Sequence, residues 1–192
     1  IVMMRPMKLA GSELMFGIGC LEHLKTIQAH KAMIVIGGSS IEKSGILAKV
    51  EKYVHEAGMQ TEVYRGVEPD TCFSTVKNGA AKMREFEPDL IIALGGGSVM
   101  DAAKAMWVYY EHPELKTLED LLNAKPFPKL RNKARFACIP STSGTASEVS
   151  RSVVISDDKT KMKYGIGNME MMPDIAICDP EVTLTMPPHI TA

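Results

Sequence analysis

Short apolar runs alternate with helical apolar stripes along the first 110 residues of the chain. Residues 32–36 and 90–94 are continuous apolar runs with the length of strands buried on both faces. Residues 60–64 form a further predicted strand between them. Helical stripes follow the three strands, at residues 46–57, 73–83 and 99–110. These strand–helix alternations predict an α/β fold, with a parallel sheet and crossover helices on both of its faces.

The second half of the chain predicts shorter elements. Residues 136–139 and 175–178 have the pattern of buried strands. Residues 152–156 and the region around Lys163 form a predicted hairpin that turns at 157–159. Prolines and charges in residues 111–133 are typical of a helix and a surface loop. The remaining predicted pieces are extended segments at 8–9 and 14–16 and a short helix that starts at Cys20.

The glycines Gly95, Gly96 and Gly97 connect the apolar run 90–94 to the next helical stripe. Because they lack Cβ atoms, a ligand can approach their backbone, and the start of the helix adds about half a positive charge. Ser98 is the predicted N-cap of that helix. A phosphate or pyrophosphate is the natural occupant of such a turn. A tight connection without a ligand stays open, because the turn matches neither the Gly-x-Gly-x-x-Gly fingerprint nor a P-loop.

A second glycine turn, Gly37 and Gly38, follows the strand predicted at 32–36. Ligands of open parallel sheets collect at the carboxyl ends of the strands, and both glycine turns fall at such ends. The two turns together therefore favour a ligand site more than either one alone.

A hydroxyl-rich segment follows the strand predicted at 136–139 and contains Ser141, Thr142 and Thr145. Its hydroxyls are suited to hydrogen bonding with a phosphate or a ribose. The alternative is a capped turn, in which a Ser or Thr caps a helix and Glu148 completes a capping box. The sequence leaves both interpretations open.

Charge and hydropathy exclude several classes of protein. The 192 residues carry a formal net charge of −1, and the pI of about 6.6 gives no electrostatic case for binding nucleic acid or an anionic membrane. No apolar run approaches the roughly 20 residues that span a bilayer. The first residues lack the apolar region of a signal peptide. We therefore expect a cytoplasmic location.

Cysteine and histidine positions give no catalytic or metal-binding pattern. The four cysteines are scattered, and we expect them to be reduced and mostly buried rather than bridged or metal-bound: Cys20, Cys72, Cys138 and Cys178. The five histidines show neither metal-ligand spacing nor a nucleophile beside them: His23, His30, His55, His112 and His189. The sequence thus identifies no catalytic residue and no metal ligand in this chain.

Several motifs in order resemble the amino-terminal domain of the iron-dependent (group III) alcohol dehydrogenases, in particular their NADPH-dependent butanol dehydrogenase branch. The resemblance covers the chain from about Met7 to Ala192. Its motifs are Gly37-Gly38-Ser39-Ser40, the segments 66–70 and 87–89, Gly95-Gly96-Gly97-Ser98 with 101–104, the segment 140–145 with Glu148-Val149, Asp179-Pro180 and Met186-Pro187-Pro188. Val99 departs from the family, which usually has a proline there; a proline at that point of a helix is favourable but not required.

The resemblance implies that residues 1–192 are one Rossmann-like dinucleotide-binding domain of the dehydroquinate synthase-like type. The segment 95–98 would hold the cofactor pyrophosphate. Further residues would line the rest of the cofactor groove: Gly38, Ser39, Ser40, Asp70, Asp101, Ser141, Thr142, Thr145 and Lys163. The resemblance implies NADP(H) rather than NAD(H), because Gly38 stands where the family would carry the acid that binds the ribose hydroxyl.

The resemblance also implies partners outside these residues. The family's second, all-helical domain supplies the ligands of iron or another divalent metal, and those ligands follow the motif on which this chain ends. The implied reaction transfers a hydride between the cofactor and a small alcohol or aldehyde, in a homodimer. Three alternatives stay open: a polyol dehydrogenase related to glycerol dehydrogenase, a non-catalytic dinucleotide-binding module, and a scaffold domain without a ligand.

Overall fold

A computed structural model of the chain describes residues 11–184 and residue 186. Its main sheet has six strands in the order β1-β8-β5-β4-β2-β3, and every neighbouring pair is parallel. A separate antiparallel hairpin consists of β6 and β7. The strands are β1 Glu13–Phe16, β2 Lys31–Val35, β3 Gln60–Tyr64, β4 Leu90–Gly95, β5 Arg135–Pro140, β6 Ser152–Ser156, β7 Lys163–Gly167 and β8 Ile175–Cys178.

Helices connect the parallel strands, as the apolar patterns predict. The α-helices are α1 Ser40–Lys43, α2 Ile46–Glu56, α3 Phe73–Phe86, α4 Gly97–Glu111 and α5 Leu118–Asn123. Short 3-10 helices lie at Cys20–Thr26, Ser147–Val149, Met169–Met171 and Pro180–Thr183. The short helix predicted from Cys20 is therefore a 3-10 helix, and the extended segment predicted at 8–9 lies outside the described residues.

The sheet is covered on both faces, which explains why its central strands are apolar throughout. Met33 and Ile91 belong to one core, together with apolar residues of α3 and α4. Ile34 and Ile92 belong to the opposite core, with residues of α2 and of the 3-10 helix Cys20–Thr26. Because side chains alternate along a strand, each central strand supplies both cores. The predicted α/β class, with a parallel sheet and helices on both faces, is confirmed.

Helix α4 lies at the centre of one layer and is buried on almost every side. Every residue from Val99 to Glu111 except Asp101 is buried. The sheet, α3 and the hairpin strand β6 all pack against this helix. The buried surface of α4 is therefore wider than the apolar stripe predicted at 99–110. The hairpin covers the side of the helix that faces away from the sheet, and a periodic pattern does not show this.

The amino terminus of α5 offers a direct test of local stability. The Thr117 Oγ1 accepts a hydrogen bond from the Asp120 N–H at 3.1 Å, and the Asp120 carboxylate accepts one from the Thr117 N–H at 2.9 Å. This capping box satisfies two backbone N–H donors that have no hydrogen-bond partner within the helix. We expect Thr117→Ala to lower the free energy of unfolding by about 1 kcal/mol in urea denaturation. Glu119→Gln is the matched control in the same turn, and equal stability of the two variants would contradict the prediction.

Candidate functional site

The sheet order creates a crevice between β2 and β4. From β2 the chain passes through α2 to β3 at the edge of the sheet, and it then returns through α3 to β4 on the other side of β2. Because the connections leave β2 and β4 in opposite directions, the space beyond their carboxyl ends stays open. Both predicted glycine turns lie there, one after each strand.

The first cavity, which we call the glycine pocket, lies in this crevice and has a volume of about 340 Å³. Both glycine turns line it, together with Ser40, Ser98 and the hydroxyl residues Ser141 and Thr142. The Ser141 N–H donates to the Gly95 carbonyl oxygen at 2.9 Å. This bond continues the pairing of β4 with β5 and brings the hydroxyl segment beside the glycine turn.

Helix α4 begins one residue before the predicted cap. Gly96 is the N-cap, in extended backbone at φ −83° and ψ −173°, and Ser98 lies inside the first turn. The prediction of Ser98 as N-cap was therefore wrong: the chain enters the helix directly after β4, so a glycine occupies the cap position. No side chain of the described residues caps this end. The first N–H groups of α4, which have no partner within the helix, thus remain available at the pocket.

The three glycines at 95–97 are packed closely against neighbouring side chains. A Cβ atom built on Gly95 would lie 2.8 Å from Val99 Cγ2, and one built on Gly97 would lie 2.8 Å from Thr145 Cγ2. A Cβ on Gly96 would lie 3.3 Å from Thr142 Oγ1. The absence of side chains therefore lets the turn pack against the hydroxyl segment as well as leaving its backbone open to a ligand.

Val99, the departure from the family pattern, lies between the two glycine turns. Its Cγ2 atom would be 3.2 Å from a Cβ atom on Gly37 and 2.8 Å from one on Gly95. The branched side chain fills the space that these glycines leave. The departure is accommodated by local packing, and α4 begins normally without the proline.

The second cavity, which we call the polar pocket, has a volume of about 310 Å³ and shares Gly97 and Ser98 with the glycine pocket. The Lys163 ammonium and the Asp70 carboxylate face each other at 2.7 Å on its wall. Both side chains are more than half exposed, so this ion pair contributes little to stability. The Ser156 N–H donates to the Thr71 carbonyl oxygen at 2.9 Å, which fixes the hairpin to the loop after β3.

Asp101 also lines the polar pocket, but its carboxylate bonds to the protein. Its Oδ2 accepts from the Val154 N–H at 3.0 Å, and its Oδ1 accepts from the Ser147 hydroxyl at 3.3 Å. Burial raises the pKa of the Asp101 carboxyl, while the bond from Val154, the charge of Lys104 and the bond from Ser147 act against that rise. Asp101 therefore attaches the hairpin to α4 at the wall of the pocket.

The predicted site residues come together at this end of the sheet. All of them except Ser39 line one of the two pockets: Gly38, Ser40, Gly95, Gly96, Gly97, Ser98, Ser141 and Thr142 the glycine pocket, and Asp70, Gly97, Ser98, Asp101, Thr145 and Lys163 the polar pocket. Ser39 is the N-cap residue of α1 between Gly38 and Ser40. Their role in binding a cofactor stays a prediction.

Several lining residues were not predicted. Val67 and Pro69 line the glycine pocket, and Thr71, Val154 and Ser156 line the polar pocket. Val67 and Pro69 lie in the family motif 66–70, but no chemical feature of their side chains marks them as pocket residues. Ser156 ends a predicted strand of the hairpin. Its place at the pocket depends on how that hairpin packs, which the sequence does not show.

The hydroxyl segment does not form the capping box that was the alternative. Ala146 is the N-cap of the 3-10 helix Ser147–Val149, with a left-handed φ of 53°, and no side chain of the described residues caps it. The segment instead places Ser141 and Thr142 at the glycine pocket and Thr145 and Ser147 at the polar pocket.

The cysteines and histidines do not assemble a centre within the described residues. All four cysteines are free thiols and none of them is exposed: Cys138 is buried and the other three are partly buried. Among residues 11–184 and 186, no three His, Cys, Asp or Glu side chains converge as metal ligands would. No helix in this part of the chain is both long and apolar enough to cross a membrane.

An open parallel sheet with glycine turns at its switch point is the architecture in which α/β proteins commonly bind nucleotides. Comparison with known protein families matches residues 11–180 to the iron-containing alcohol dehydrogenases, and the chain belongs to that family.

Known relatives agree in sequence and in fold. The chain is 51% identical over 180 residues to the NADPH-dependent butanol dehydrogenase of Clostridium saccharobutylicum, an alignment that covers 94% of this chain and 46% of the relative. It thus spans about half the length of that relative. The structure of the iron-containing alcohol dehydrogenase of Thermococcus thioreducens matches with a TM-score of 0.87 and 35% identity, over 96% of this chain and 49% of the other. The structure of the NADH-dependent butanol dehydrogenase A of Thermotoga maritima matches with a TM-score of 0.86 and 25% identity. That match covers 97% of this chain and 47% of the other.

Proposed function

We propose that this chain is the cofactor-binding half of a metal-dependent oxidoreductase that transfers hydride between a primary alcohol or aldehyde and NADP(H). The observation that carries the proposal is the uncapped, glycine-bounded start of α4 at the switch point of a parallel sheet. Backbone N–H groups at such a helix end bind anions, and a pyrophosphate supplies the matching charge. Membership of the iron-containing alcohol dehydrogenase family supports the reaction class.

The two pockets suggest how a dinucleotide divides between them. The turn at 95–98 would bind the pyrophosphate, because Gly97 and Ser98 line both pockets. The adenosine half would occupy the glycine pocket beside Gly38 and α1. The nicotinamide half would occupy the polar pocket, where Thr145, Ser147 and Lys163 offer hydroxyls and a cation. When bound, the nicotinamide supplies the hydride chemistry, and these residues bind and orient it.

The metal of the family does not fit the described residues. A structural or catalytic site needs three or four converging protein donors, and no such group occurs between residues 11 and 184. Following the family resemblance, we propose that the ligands of the metal lie outside this chain, and no step of the reaction is attributed to a metal here. The cytoplasmic location and the homodimer implied by the family resemblance also stay predictions.

The choice between NADP(H) and NAD(H) tests the proposed assignment of the glycine pocket. The named relatives do not settle it, because one butanol dehydrogenase is NADPH-dependent and another is NADH-dependent. A Cβ atom at Gly38 would meet no atom within 4 Å, so the position has room for a side chain to begin there. With no acid there, nothing at this position repels a 2′-phosphate, and the N-terminal residues Ser39 and Ser40 of α1, with Lys43 nearby, are suited to it.

We expect the chain to bind NADP⁺ at least about tenfold more tightly than NAD⁺ in calorimetric titrations, a difference of about 1.4 kcal/mol. Gly38→Asp should reverse this preference, because a carboxylate accepts from the 2′-hydroxyl of NAD⁺ and repels the 2′-phosphate of NADP⁺. Gly38→Asn is the matched control, since it has the same shape without the charge. Tighter binding of NAD⁺ by the unmodified chain would contradict the preference, and binding of neither dinucleotide would contradict the proposed function.

A further inference from the structure

Lys104 is an unusual residue in the centre of α4. Its side chain is completely buried, in a helix whose neighbouring core residues are apolar. Its ammonium donates to the carbonyl oxygens of Ser147 and Ser150, each at 2.7 Å, and lies 3.4 Å from that of Ser152. A lysine is almost never fully buried unless its charge is satisfied, so these contacts account for its presence.

The buried ammonium is costly to the fold. Burial lowers the pKa of Lys104, and nearby Cys138, Asp101 and Glu148 act in the opposite direction. An apolar side chain of similar volume would fill the same space without this cost. We therefore expect the hydrogen bonds of the Lys104 ammonium, which an apolar residue cannot make, to serve a function.

The contacts of Lys104 hold an irregular segment against the helix. Ser147–Val149 form one turn of 3-10 helix with Ser150 as its C-cap, and this segment lies outside the parallel sheet. Lys104 binds the carbonyl oxygen of Ser147, and the hydroxyl of the same serine donates to Asp101. Asp101 lies three residues before Lys104, so both side chains lie on one side of α4. Ser147 therefore links Lys104 and Asp101 in one hydrogen-bonded network.

This network forms the wall of the polar pocket. Asp101 and Ser147 line that pocket, as does Val154, whose N–H binds Asp101. Lys104 itself lines neither pocket. None of the three serines whose carbonyl oxygens it binds lines the glycine pocket.

We propose that Lys104 is a positioning residue, which acts through Ser147 and Asp101 to set the part of the groove that receives the nicotinamide half of the cofactor. The proposal rests on the proposed function. The proposal predicts different effects on the two halves of the ligand. A change at Lys104 should alter the polar pocket and leave the glycine pocket unchanged.

The test compares a whole dinucleotide with its adenosine half, by calorimetry on the purified chain. We expect Lys104→Met to weaken NADP⁺ binding by at least about tenfold. Adenosine 2′,5′-bisphosphate, which reaches only the glycine pocket, should bind within about twofold of its original affinity. A general structural defect would weaken both ligands together. Trp107→Phe is the matched control: it lies on the same helix, is fully buried and loses a hydrogen bond to the Ala134 carbonyl oxygen, yet should leave both affinities unchanged.

A second variant tests the route through Ser147. Ser147→Ala removes the hydroxyl that binds Asp101, and it should also weaken NADP⁺ selectively. Both changes interrupt one network, so their losses of binding free energy should not add. The double variant should therefore lose less NADP⁺ affinity than the sum of the losses in the two single variants. Should Lys104→Met fail to fold, Lys104→Gln, which keeps a hydrogen-bond donor without the charge, takes its place in the same comparison.

Several outcomes would overturn the positioning role. They are unchanged NADP⁺ affinity in the folded Lys104 variant, equal weakening of both ligands, and strict additivity with Ser147→Ala. Each of these leaves the proposed function intact, provided that the unmodified chain binds NADP⁺. Failure of the unmodified chain to bind any dinucleotide would instead contradict the proposed function, and the role of Lys104 with it.

Discussion

Replacing Gly96 by valine is expected to abolish dinucleotide binding and to leave the fold near native. The backbone at Gly96 is extended, so valine can adopt its conformation without strain. The new side chain would begin 3.3 Å from Thr142 Oγ1, at the wall of the glycine pocket. Its methyl groups would then occupy space that the pyrophosphate needs beside the first N–H groups of α4. We expect at least about 100-fold weaker binding, or about 2.7 kcal/mol.

The measurement is a titration of the folded variant with NADP⁺, with circular dichroism and urea unfolding as checks of the fold. Gly165→Val is the matched control. Gly165 lies in β7 and lines neither pocket, and a Cβ atom there would meet no atom within 4 Å, so valine adds the same bulk outside the lining of both pockets. Unchanged affinity in a folded Gly96→Val chain would show that the glycine turn does not bind the cofactor.

The sheet could be predicted because its central strands are buried on both faces. The runs at 32–36 and 90–94 are apolar at every position, a pattern that a strand with one exposed face does not show. The order of the strands could not be predicted, because it depends on which helix crosses which face. That order is what brings Gly38 and Gly96, 58 positions apart in the sequence, to the same crevice.

The errors at the site have a common physical origin. Ser98 has the side chain of a good N-cap, but the helix begins where β4 ends, and that geometry places Gly96 at the cap. Lys104 belongs to the family motif at 101–104, but the motif does not predict its burial, which comes from the hairpin and the segment before it that cover α4. Residue propensities describe a segment in isolation. The position of the helix cap and the burial of Lys104 depend instead on how other parts of the chain pack against α4.

The purified 192-residue chain is expected to hold no catalytic metal and to oxidise no alcohol. Removing a hydride from an alcohol requires that its oxygen be polarised or deprotonated, and in this family a metal with several fixed ligands serves that purpose. Protein ligands of a divalent metal converge at about 2.0–2.2 Å. Three of the histidines already bind other groups: His23 contacts Glu13, His55 contacts Thr61, and His112 contacts Glu114. His189 lies outside the described residues, and the family resemblance places the whole ligand set beyond Ala192.

The test has two parts, each with a positive control from the NADPH-dependent butanol dehydrogenase of Clostridium saccharobutylicum. The chain is incubated with Fe²⁺ or Zn²⁺, separated from free metal by gel filtration and analysed for bound metal. It is then assayed with butanol and NADP⁺ for NADPH formation, while calorimetry on the same sample measures cofactor binding. We expect cofactor binding with neither metal nor turnover, because residues of this chain form the proposed cofactor groove, whereas the proposed metal ligands lie outside it. Stoichiometric metal, or NADPH formation above that of a heat-denatured sample, would show that the chemistry resides within these 192 residues.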